Sequence, residues 1–135
     1  MKALSKVLLV AAALAVSACA LNPFATARTL EQKSYALYGS FVIFEEQGAK
    51  MMLSTEVPNS VKFRLQQADS AAKPAVDALK DAADSVIAAK RQLAEGATDK
   101  EKVSIAVANL SQWYYDAKPK VECLIRTVEG KSCSN

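Results

Sequence analysis

Three cysteines, Cys19, Cys123 and Cys133, are the most reactive side chains of the chain, and the sequence contains no histidine to activate them. Without histidine the commonest general base and the commonest zinc ligand are missing, and every Ser-His or Cys-His nucleophile is excluded. Cys123 falls on a predicted helix without a base, so a nucleophilic role is not expected. Asp77, Asp81 and Asp84 share one helical face and could attract a cation. Calcium sites prefer oxygen ligands wrapped by a loop, and Lys73 and Lys80 lie among these acids, so a solvated face is the better reading. No glycine-rich phosphate loop is present. Neither a metal nor a cofactor is expected, and an enzyme is the least expected class.

The densest aromatic cluster is Trp113-Tyr114-Tyr115. Three consecutive residues of a helix point in different directions, so not all can be buried. Tyr114 belongs to an apolar stripe. Trp113 or Tyr115 is left at the stripe's edge, either as ordinary packing or as a contact for a protein partner. Glu45-Glu46-Gln47 reads as the wet side of its helix.

Three long helices must position these residues. Alanine is abundant, while glycine and proline number four each, a mixture that suits helices and suits sheets poorly. Thr29-Leu30-Glu31-Gln32 has the pattern of a capping box. Leu30, Leu37, Phe41, Phe44, Gly48 and Met51 follow on one face, widened by Tyr38, Val42 and Met52. Pro58 restricts Val57 and suits the first turn of a second helix. The second stripe is Val61, Leu65, Ala68, Ala72, Val76, Leu79, Ala83, Val86 and Leu93, with Gly96 as its C-terminal cap. Thr98-Asp99-Lys100-Glu101 predicts another capping box. Val107, Leu110, Tyr114, Ala117, Val121, Leu124 and Val128 form the third stripe, ended by Gly130. Pro74 and Pro119 lie inside the second and third helices and predict kinks there. They sit in a weak internal repeat, residues 72–79 against 117–124, which is as readily chance as duplication. The fold expected is all-α, a kinked antiparallel three-helix bundle over residues 29–135. Helices of about 25 to 37 residues with short connections favour antiparallel neighbours.

The N-terminus carries a different signal. Lys2 and Lys6 form a positive region, and Leu8 to Val16 is an apolar run of secretory-signal length, too short to span a bilayer. Val16-Ser17-Ala18-Cys19 then resembles the lipobox of bacterial lipoproteins, in which the cysteine is acylated and becomes the new N-terminus. The resemblance implies a signal peptide over residues 1–18, lipidation at Cys19 with palmitate among the usual three chains, and stable membrane attachment. Ala20 stands where Asp would retain an enterobacterial lipoprotein in the inner membrane. For a Gram-negative source this implies the outer membrane, facing the periplasm. Residues 19–28 read as a tether of at most roughly 30 Å, interrupted by Pro23, with Phe24 at the membrane interface or packed on the domain.

Lys plus Arg number 17 against 14 Asp plus Glu, a net charge of +3. The two signal lysines carry most of that excess, so no basic face for nucleic acid is expected. With Cys19 taken by lipid, Cys123 and Cys133 remain, and an oxidising periplasm would permit their pairing. Seven helical residues from Cys123 to Gly130 rise about 10 Å. A reversal at Gly130 lets Lys131-Ser132-Cys133 just return. An intramolecular disulfide is therefore feasible but tight; an intermolecular bridge and two free thiols remain alternatives.

The layout, with segments such as Tyr35-Ala36-Leu37-Tyr38-Gly39, also resembles small helical lipoproteins of bacterial and prophage genomes, for which no activity is assigned. The function expected is that of a non-enzymatic envelope lipoprotein binding a protein partner. The alternatives are a phage-encoded lipoprotein affecting lysis or superinfection, and a structural spacer. Oligomeric state is not readable from the residues.

Overall fold

A computed structural model describes residues 27–133. The segment expected to be a signal peptide, the expected lipobox with Cys19, and Phe24 lie outside the described residues. Three helices follow in order: α1 (Leu30–Leu53), α2 (Asn59–Ala94) and α3 (Lys100–Val128). No strand occurs among the described residues, and none of their helices is long and apolar enough to cross a membrane. At 1.5 Å per residue the helices span about 36, 54 and 44 Å. α2 and α3 make the most extensive contact, and α1 packs against both. Contacts pair the start of α1 with the end of α2 and the end of α1 with the ends of α2 and α3 that lie beside it, which gives an up-down-up bundle.

The first cap forms as its residues dictate. Thr29 accepts from the Gln32 backbone N–H, and the Gln32 side chain accepts from the Thr29 N–H. The second expected box does not form. Asp99, not Thr98, is the N-cap of α3, accepting from the Lys102 N–H at 2.9 Å. The Thr98 hydroxyl is buried without a partner. Of two adjacent cap formers, the carboxylate sits in the cap position, where its charge favours the positive end of the helix. Pro58 likewise lies one position earlier than expected, as the N-cap of α2, with its carbonyl accepting from Val61 and Lys62.

Gly96 and Gly130 have φ of +72° and +75°, the left-handed conformation that glycine adopts without a Cβ clash. Each closes a Schellman motif. Ala97 N–H donates to Gln92 and Gly96 N–H to Leu93; Lys131 N–H donates to Arg126 and Gly130 N–H to Thr127. Pro74 and Pro119 lie inside α2 and α3, which run through them unbroken. Both prolines are on the exposed side, where water can satisfy the carbonyls of Ser70 and Tyr115 that they deprive of a donor.

The core lies along the expected stripes. Leu37 and Phe41 from α1 meet Ala72, Val76, Leu79, Ala83 and Val86 from α2, and Leu110, Tyr114, Ala117, Val121 and Leu124 from α3. The alanines let α2 approach its neighbours closely. A Cβ added at Gly48 would touch Leu65 and Val128 at 3.8 Å each, so α1 also lies close to both partners at that level. Val42 and Met52, expected on the core face of α1, are exposed instead. The inward places at the start of α1 go to Ser34, Ala36 and Ser40, small enough for close packing. Ser34 satisfies its buried hydroxyl on the Leu30 carbonyl at 2.8 Å.

Candidate functional site

The seam between α1 and α2 is tied by polar contacts at three levels. At the start of α1, Lys90 donates to Glu31. This hydrogen bond, more than any other interaction, holds the Glu31 carboxyl below its ordinary range. About one turn further along α1, the Tyr35 hydroxyl donates to Asp84, whose other oxygen accepts from Lys80 at 2.7 Å. Asp84 is pushed down by the Lys80 bond and then by the Tyr35 bond, and the Tyr35 phenol is pushed up by donating to a carboxylate. Asp84 is thus engaged by two side chains, which takes it out of the acidic face of Asp77, Asp81 and Asp84. At the third level Lys73 reaches Glu45 at 3.2 Å while lying 5.9 Å from the centre of the Phe41 ring. Glu45, expected on the wet side, therefore faces the seam.

Beyond Lys73 and Glu45 the seam opens into a cleft of about 440 Å³. Gly48, Ala49, Met52 and Leu53 line it from α1, Leu65 from α2, and Leu124 from α3. Asp69 and Gln66 sit on its α2 side. The volume lies within the range of small-molecule sites. Asp69 Oδ1 is buried with no hydrogen-bond partner. Burial first, and then the negative charge of Glu45, push the Asp69 carboxyl above its ordinary range against a smaller opposing effect of Lys73. Periodicity could not have found this site. Asp69 lies beside the core stripe without belonging to it, and Gly48 and Ala49 on the α1 side act by leaving room.

A second surface lies between α2 and α3. Trp113 is 40% exposed and lines a shallow cleft with Ile105, Ala106, Ala78 and Ala82. Lys102 and Asp81 stand at its edge. Tyr115 is 72% exposed and meets the buried Tyr114 edge-on, with ring centroids 5.8 Å apart. Two residues apart on a helix, Trp113 and Tyr115 point about 200° away from each other. The fold does not bring them onto one surface.

At the far end of the bundle the chain turns at Gly130 and returns along α3. Cys123 and Cys133 are joined there, with Cα atoms 4.9 Å apart. Thr127, buried beneath the returning tail, donates to the Cys123 carbonyl at 2.8 Å and lies 3.5 Å from Cys133 Sγ.

Comparison of the chain with protein-family models, with curated proteins and with solved structures finds no match. The functional reading therefore rests on the residues and their placement.

Proposed function

We propose that the chain is a lipid-anchored envelope protein that acts by binding a protein partner, without catalysis. Attachment rests on the lipobox resemblance at Val16-Ser17-Ala18-Cys19. The observation that carries the binding reading is the α2–α3 surface around Trp113. Ile105 is 55% exposed and Trp113 40% exposed, two large apolar side chains two turns apart, flanked by small alanines and edged by a lysine and an aspartate. A half-exposed tryptophan beside a shallow recess is the kind of anchor that dominates protein interfaces. The α1 end that follows the tether lies at the opposite end of the bundle from the disulfide, so the domain reaches away from its attachment point.

Two measurements test this reading. Intact-mass analysis of the mature protein should find a lipid-modified Cys19 at the N-terminus, and Cys19→Ser should leave an unprocessed precursor. A photo-crosslinking residue placed at Asn109, between Ile105 and Trp113 on the same face, should capture a discrete protein in intact membranes. Trp113→Ala should abolish that product. A crosslinking pattern unaffected by Trp113→Ala would reject this surface as the docking face.

A further inference from the structure

The open end of the α1–α2 seam combines two features that are costly to keep without an occupant. One is an apolar cleft of about 440 Å³ formed where all three helices meet. The other is Asp69, which lines that cleft and accepts from no donor, its Oδ1 being buried without a partner. A buried acceptor without a partner costs free energy, and more so on a charged group. The nearest cation does not relieve it, because Lys73 is bonded to Glu45. Every level of the seam closer to the start of α1 closes with a donor placed on a carboxylate. This level has the carboxylate and lacks the donor.

We propose that the cleft binds a primary alkylammonium, with the aliphatic chain lying between Ala49, Met52 and Leu65 and the ammonium donating to Asp69. Charge selects the ligand class. An alkanol would fill the cleft without the charge, and an alkanoate would set a second anion beside Asp69 and Glu45. Size selects a free small amine over a helical segment of another protein, since the cleft falls within the range of small-molecule sites. The inference is independent of the Trp113 surface, which lies between α2 and α3.

The test uses the full chain with methyl-labelled methionine and hexylammonium as the probe. Met52 lines the cleft and Met51 does not, so the pair supplies a reporter and an internal reference. Hexylammonium should move the Met52 methyl signal saturably. Hexanol should bind about tenfold or more weakly, in keeping with the loss of a hydrogen bond between charged groups, and hexanoate should not bind. Asp69→Asn should reduce hexylammonium to the level of hexanol. Ala49→Lys should place a tethered ammonium beside Asp69 and abolish binding. The proposal is overturned if hexylammonium gives no saturable shift, if hexanol matches it, or if Asp69→Asn leaves its affinity unchanged. A lysine-containing apolar peptide that binds far more tightly than hexylammonium would also overturn it, by giving the cleft to a protein segment. If Asp69→Asn does not fold, the comparison of hexylammonium with hexanol on the unaltered protein still decides.

Discussion

The Tyr35 hydroxyl of α1 donates to Asp84 Oδ1 of α2, while Lys80 holds Asp84 Oδ2 at 2.7 Å. This three-residue contact crosses between helices, whereas Lys50 with Glu46 and Lys120 with Asp116 lie within one helix and are exposed. Exposed pairs of the second kind contribute little. Tyr35→Phe keeps the ring and removes the cross-helix hydrogen bond. It should lower the thermal midpoint by about 1–3 °C, measured by circular dichroism, whereas Lys120→Ala should change it less.

Asp69 and Glu31 should respond to pH in opposite senses. The folded protein raises the Asp69 pKa, so the stability gained by protonating it is fully present below the unfolded value of 3.8 and lost as pH rises through the folded value. Asp69→Asn should therefore be more stable than the unaltered protein at neutral pH, with the gain disappearing in acid. The folded protein lowers the Glu31 pKa, so its stabilisation is present above 4.5 and lost as pH falls through the folded value. Glu31→Gln should cost stability at neutral pH and nothing at the acid end. Urea unfolding of both variants between pH 3 and pH 8 gives the two slopes.

The start of α3 separates a working cap from an idle neighbour. Asp99→Ala removes the acceptor of the Lys102 N–H and should cost about 1 kcal/mol. Thr98→Val removes a buried hydroxyl that has no partner and should be neutral or stabilising. Paired denaturation curves settle the assignment, and a larger loss at Thr98 would reverse it.

The C-terminal tail gives a redox prediction. Non-reducing mass spectrometry of protein exported to an oxidising compartment should show one intramolecular bridge between Cys123 and Cys133. Cys133→Ser should lower stability by at most roughly 2–3 kcal/mol for so short a loop. Gly130→Ala should cost about 1 kcal/mol, because φ of +75° places a Cβ against the following carbonyl. A dimer that collapses on reduction, or full alkylation without reductant, would contradict the pairing.

The bundle was legible in the sequence because each helix writes its buried face at a period of three and four. Leu110, Tyr114, Ala117, Val121 and Leu124 are all buried as their spacing requires. Thr29 capped as read because it stands alone before its helix, whereas Thr98 and Asp99 competed and the side-chain types alone did not rank them. Val42 was misplaced because apolar character does not say how wide a face three helices can cover. The cleft was not legible at all. It depends on where α1 and α2 stop being tied together, which is decided by long-range partners: Glu45 finds Lys73, and Asp69 finds none.

The chain enters at the start of α1 and leaves past Gly130 at the opposite end of the bundle. α1 and α3 run parallel, with α2 antiparallel between them in sequence. Tension between a held N-terminus and a load at the C-terminal end would thus act along the helix axes. Such a force slides α1 and α3 past α2 and loads Glu31–Lys90, Tyr35–Asp84 and Glu45–Lys73 together, where a hairpin pulled from one end would peel them singly. The Cys123–Cys133 bridge carries that load from the tail directly into α3, bypassing the turn at Gly130. The up-down-up order therefore loads the domain in shear under such a force, best able to resist extension along its helix axes.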